Sequence, residues 1–121
     1  MSISLLIVDD SEFSRNMIKR ALPSDWDVVI DEASCGQEAL DYCNSLQFDV
    51  IFLDLTMPDM DGLEVLQALG ERGYLSKIFV ISADVQSSSK EIALQRGALE
   101  FLQKPVTADK LSAMLQHHEV L

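Results

Sequence analysis

Asp9, Asp10, Asp54, Ser82 and Lys104 each stand where an apolar run of the chain gives way to polar residues. Their types suit one kind of chemistry. Three carboxylates brought close together repel one another, which raises the cost of ionising all three. A hard divalent cation, Mg²⁺ or Mn²⁺, relieves that repulsion; Mg²⁺ takes oxygen ligands and commonly pairs one or two carboxylates with phosphate oxygens. Lys104 then offers a point charge to an anion, and Ser82 a hydrogen bond. The set fits transfer of a phosphoryl group onto a carboxylate, where a protein's main work is positioning and charge neutralisation. An Asp can be the nucleophile in such a reaction, giving an acyl phosphate.

Asp54 is the candidate for that nucleophile. It closes the apolar run Val50-Ile51-Phe52-Leu53, and Pro58 and Gly62 follow at intervals of four. A buried strand that delivers an acid at its C-terminal end, followed by a fixed turn, places the acid on the rim of a sheet. In open α/β sheets, ligands bind at that rim.

The other elements must bring their own ends to the same rim. Ile3–Val8 reads as a strand buried on both faces, ending at Asp9-Asp10 with Ser11 as N-cap of a helix. Phe13, Met17 and Ala21, with Ile18 and Leu22, give that helix an apolar stripe, and Pro23 stops it. Val28–Ile30 is a second strand; Gly36 then precedes a helix with Ala39, Leu40 and Cys43. The third strand runs from Asp49 to Leu53, and Leu63, Leu66 and Leu69 mark a helix closed by Gly70 or Gly73. Ile78–Ile81 is a fourth strand ending at Ser82-Ala83, followed by a helix that begins near Ser87–Ser89, carries Ile92 and Ala93, and ends at Gly97. Leu99–Leu102 is a fifth strand running into Lys104-Pro105, and Thr107 caps a last helix with Leu111, Met114 and Leu115. Strand–helix alternation of this kind predicts one parallel sheet with helices on both faces, since crossovers are right-handed. Parallel strands align their C-terminal ends, so the five polar residues converge.

Composition narrows the partners. The chain has 121 residues, enough for one domain with one core, and 48% of them are apolar. A net charge of −11 argues against direct nucleic-acid binding. Residues 1–60 hold twelve acids against three bases, and residues 61–121 eight against six, so the second half is the better docking face for an ordinary protein. Cys35 and Cys43 fit neither a zinc spacing nor a redox pair and read as free thiols. Ile3–Val8 is far too short for a signal peptide or a membrane span, so the expected location is cytoplasmic.

Four motifs in order, Leu6-Ile7-Val8-Asp9-Asp10-Ser11, Leu53-Asp54-Leu55-Thr56-Met57-Pro58-Asp59-Met60-Asp61-Gly62, Val80-Ile81-Ser82-Ala83, and Gly97 through Pro105, resemble the receiver domain of two-component response regulators. The resemblance spans 1–121 as a single domain. It implies a flavodoxin-like five-stranded parallel sheet of order 2-1-3-4-5 with five helices. It also implies a role for each residue. Asp54 would be the phosphoacceptor; Asp10, Asp54 and the backbone carbonyl of Thr56 would bind Mg²⁺, with Asp9 acting through water. Ser82, the Ala83 backbone and Lys104 would hold the phosphoryl group. Phe101 would be the aromatic that turns inward after Ser82 moves. Thr56 and Asp84 would tune dephosphorylation, and Pro105 would follow a cis peptide bond. The implied partners are a sensor histidine kinase or phosphotransfer protein and a downstream protein or fused output domain. The face of the fourth helix, fifth strand and fifth helix would signal, with a phosphorylation-linked dimer as one outcome.

Plainer readings accompany these. Asp59 and Asp61 suit solvated turn acids, Met57 and Met60 loop packing, and Phe101 core packing. His117 and His118 point about 100° apart on a helix and suit a frayed terminus. Trp26 lies in the connection before the second strand, a poor position from which to report metal binding by fluorescence. Two rival functions share parts of the inventory. An aspartate-nucleophile phosphohydrolase of the haloacid dehalogenase type usually has a second acid two residues after the nucleophile, where this chain has Thr56. A phosphate-independent interaction module would not need the acid pair, Ser82 and Lys104.

Overall fold

The computed structural model describes residues 2–58, 60–84 and 86–121. Five strands alternate with five helices: β1 (Ile3–Val8), α1 (Glu12–Ala21), β2 (Val28–Ala33), α2 (Gly36–Ser45), β3 (Val50–Leu53), α3 (Gly62–Glu71), β4 (Lys77–Ser82), α4 (Ser87–Gln95), β5 (Glu100–Gln103) and α5 (Ala108–His117). All neighbouring pairs are parallel, and the order is β2-β1-β3-β4-β5, as the sequence led us to expect.

Alternation along the central strands divides the core in two. Leu6, Val8, Ile51, Leu53, Ile78 and Val80 face α2, α3 and α4, where they meet Leu40, Val65, Leu66, Leu69 and Ala93. Leu5, Ile7, Val50, Phe52, Phe79 and Ile81 face α1 and α5, where they meet Ile18, Leu111, Met114 and Leu115. Both faces of β1, β3 and β4 are therefore apolar, which explains their unbroken hydrophobic runs. Each fully buried side chain of this size contributes about 1.5–3 kcal/mol relative to leaving it exposed.

Several boundaries differ from the sequence reading. β2 runs three residues further, to Ala33, because an edge strand tolerates polar residues; Asp31 and Glu32 pair in register with Leu6 and Ile7. The Glu32 carboxylate is taken by Arg15 Nε and Lys19 Nζ of α1, each at 2.8 Å. Gly36 is the first residue of its helix and does not precede it; Cys35 is the N-cap. Of the two glycines offered for the end of α3, Gly73 follows the cap residue Arg72 and adopts φ 65°. Asp61 is the N-cap of α3, its carboxylate accepting from the Glu64 N–H at 2.9 Å, and so has a structural task beyond a solvated turn. The turn role expected of Asp59 lies outside the described residues. His118 is not frayed: it caps α5, packs edge-on against Phe79 and pairs with Glu100 at 2.8 Å.

The expected stripe of α1 splits. Ile18 and Ala21 are buried, whereas Phe13 is 74% exposed and Met17 40% exposed. Phe13 and Met17 are four residues apart and share a face that turns away from the sheet.

Candidate functional site

The sheet ladder itself brings the acids together. The Asp54 N–H donates to the Val8 carbonyl at 2.9 Å, and the Asp9 N–H to the Ala33 carbonyl at 3.0 Å. Each strand thus continues one step past its last apolar residue and sets its acid at the same edge. On the far side, the Lys104 N–H donates to the Ser82 carbonyl at 2.9 Å, which hangs the lysine from the end of β4.

Carboxylate oxygens of Asp9, Asp10 and Asp54 lie within 4.8 Å of one another. Asp9 and Asp54 are 1% and 6% exposed, while Asp10 is open to solvent. Lys104 Nζ bridges the buried pair, 2.7 Å from Asp9 Oδ2 and 3.2 Å from Asp54 Oδ2. The remaining oxygens accept from the main chain: Asp9 Oδ1 from Ser11 N–H at 2.9 Å, Asp54 Oδ1 from Thr56 N–H at 3.2 Å. Burial pushes the Lys104 ammonium towards losing its proton, but the Asp9 hydrogen bond and the charges of Asp54 and Asp9 outweigh it, and its pKa is raised.

The turn after Asp54 depends on Gly62. A Cβ there would sit 2.3 Å from the Asp54 carbonyl oxygen, and the Gly62 N–H donates to the Leu55 carbonyl at 3.0 Å. Only glycine lets α3 start this close to the acid. Leu55, Met57 and Met60 pack onto the core beside it.

A cavity of about 530 Å³ opens over the acids, with Thr56, Lys104 and Pro105 in its wall. The Lys104–Pro105 peptide bond is cis. Ser82, Ala83, Asp84 and Phe101 do not line this cavity. Ser82 is buried, its hydroxyl accepting from the Asp84 N–H at 3.2 Å. The Asp84 carboxylate accepts from the Gln86 N–H at 2.9 Å, on the approach to α4. Phe101 is half-buried against the core on the α2–α4 side. The lip of the cavity was not foreseen: Phe13, Met17 and Val106 flank it. The i, i+4, i+8 spacing of Phe13, Met17 and buried Ala21 gives no signal that separates the first two from the core.

All ligating atoms offered here are hard oxygens, so the donor set fits Mg²⁺ or Mn²⁺ and not a thiophilic metal. Among the described residues no helix is long and apolar enough to cross a membrane.

A doubly wound parallel sheet whose aligned strand ends carry three acids and a lysine defines a class of α/β domain with an acidic cavity at its rim. The chain belongs to the response regulator receiver domain family of two-component and chemotaxis signalling, whose model matches residues 5–116. It is 39% identical to a chemotaxis protein CheY of Listeria monocytogenes over 115 residues, covering 94% of this chain and 96% of that one. Its fold superposes with TM-score 0.86 and 32% identity on the signal receiver domain of a putative response regulator NarL from Mycobacterium tuberculosis, covering 98% and 97% of the two chains. A CheX–CheY–BeF₃–Mg²⁺ complex from Borrelia burgdorferi gives TM-score 0.83 at 30% identity, covering 96% of this chain and 89% of that one.

Proposed function

We propose that residues 1–121 act as one phosphorylation-controlled receiver, with Asp54 as the phosphoacceptor. The observation that carries this reading is the Asp9–Asp10–Asp54 cluster, with Lys104 bridging Asp9 and Asp54. An Asp54 carboxylate oxygen forms a bond to phosphorus, and the phosphorus–nitrogen bond of a donor phosphohistidine breaks, its electron pair staying on the imidazole. Bound Mg²⁺ would neutralise charge on the transferred group. Asp10, Asp54 and the Thr56 carbonyl would hold it, and Asp9 would act through water. Lys104 would shift from the carboxylates to a phosphoryl oxygen, a reading supported by the contact of its ammonium with Asp54. Ser82 and the Ala83 N–H would serve the same oxygens after a local rearrangement, with Phe101 filling the space behind Ser82. Thr56 and Asp84 would set the rate at which water removes the group.

Phe13 and Met17 give a protein donor an apolar foothold beside the acids. This favours a sensor kinase or phosphotransfer protein over small donors alone. The face of α4, β5 and α5 would carry the output to a downstream protein, a fused output domain or a second copy, and the chain would act in the cytoplasm. Thr56 stands where a phosphohydrolase of the rival class carries its general acid, which favours the switch over turnover.

Intact-mass analysis after incubation with acetyl phosphate tests the reading. A single phosphoryl adduct that requires Mg²⁺ and disappears in Asp54→Ala is the expected result. Failure of both acetyl phosphate and a phosphorylated kinase to label the folded protein would overturn it in favour of a phosphate-independent module.

A further inference from the structure

The carbonyl of Asp9 belongs to the peptide that joins the two N-terminal acids of the cluster. Its orientation sets ψ of Asp9 and φ of Asp10, and so the directions of both carboxylates. It lies one step beyond the sheet, because the β1 pairing ends with Val8 opposite Ala33 and Leu53. Among the described residues no backbone amide donates to it. The Arg15 guanidinium does, through one of its terminal nitrogens at 2.6 Å. Arg15 in turn is oriented from β2: its Nε donates to Glu32 Oε1 at 2.8 Å, and Lys19 holds the other Glu32 oxygen at 2.8 Å. The Arg15 side chain is only 14% exposed, so water competes poorly for these bonds.

We propose that Arg15, oriented by Glu32, is a positioning residue that fixes the Asp9–Asp10 peptide and thereby pre-forms the cation site. The proposal rests on the Mg²⁺ reading given above. It makes Mg²⁺ affinity depend on an α1–β2 ion pair that touches no expected ligand atom. Groups that orient metal ligands typically change affinity by about 10–100-fold when removed. The sign is diagnostic. Removing a cation beside three carboxylates should, by charge alone, tighten Mg²⁺ binding. Loss of positioning weakens it.

The test is calorimetric titration of MgCl₂ into the wild type and into Arg15→Met, Arg15→Lys, Glu32→Gln and Lys19→Met, with unfolding midpoints in EDTA as the folding check. The proposal expects Arg15→Met to raise the Mg²⁺ Kd about 10-fold. Arg15→Lys, which can reach the carbonyl but not span both partners, should recover part of the loss. Glu32→Gln should weaken binding about 3-fold, and Lys19→Met, which removes the same charge without touching the Asp9 carbonyl, should leave it within about 2-fold. A folded Arg15→Met with wild-type or tighter affinity overturns the proposal, as does Lys19→Met weakening binding as much as Arg15→Met. Should Arg15→Met fail to fold, Glu32→Gln decides: weaker binding supports the proposal, unchanged binding overturns it. A wild type that binds no Mg²⁺ overturns the metal reading and this one with it; a wild type that binds, with all variants equal, overturns only this one.

Discussion

Helix α3 leaves β3 with Asp61 capping its first turn, Gly62 pressed against the Asp54 carbonyl, and Val65, Leu66 and Leu69 in the core. Helix α4 leaves β4 with Gln86 offering no side-chain cap and Ala93 as its one buried residue. Both junctions are strand-to-helix turns at the same sheet edge. The first positions the candidate acceptor, and geometry there has to be stiff. The second follows Ser82 and has little burial to lose, so rearrangement costs less on that side. Local opening is expected where few apolar contacts must break. The contrast says where a signal generated at Asp54 would find a deformable element.

Stability measurements can break or sharpen this contrast. Leu66→Ala should cost about 3 kcal/mol in denaturant unfolding, as a fully buried leucine leaves a cavity; Ile92→Ala on α4 should cost only about 1 kcal/mol. Equal costs would remove the distinction. Gly62→Ala should cost about 2 kcal/mol because its Cβ meets main chain, not a flexible side chain. Asp61→Ala should cost about 1 kcal/mol through loss of the α3 cap. Gln86→Asp should instead stabilise by about 0.5 kcal/mol, and amide exchange in α4 should slow with it.

The finest test concerns Lys104, which links the two regions: its N–H hangs from Ser82 at the end of β4, while its ammonium grips Asp9 and Asp54. Its pKa is raised in the folded protein, first against the pull of burial, by Asp9 and Asp54. The stabilisation it supplies is therefore complete below its unfolded pKa of about 10.4 and is lost as pH rises through the higher folded value. Alkaline titration of the unfolding midpoint should fall more steeply for the wild type than for Lys104→Met. Parallel curves would mean that the ammonium does not tie the regions together.

The sequence by itself determined the strand cores, the sheet class and the identity of the clustered acids. Unbroken apolar runs such as Leu5–Val8 and Val50–Leu53 require burial on both faces, and parallel strands must align their polar ends. The strand order came only through the family resemblance that the four motifs carry. Tertiary structure alone decided which residues serve those acids from a distance. Glu32 extends β2 because Arg15 and Lys19 of α1 neutralise it, a pairing across elements that no local pattern encodes. Phe13 faces the cavity lip and not the core because the docking angle of α1 turns one of its two apolar pairs outward. His118 is held because Glu100 and Phe79 lie where α5 ends. Local sequence sets backbone period and burial; which distant side chains meet depends on how whole elements pack, and that is settled only when the sheet and its two helical layers close on one another.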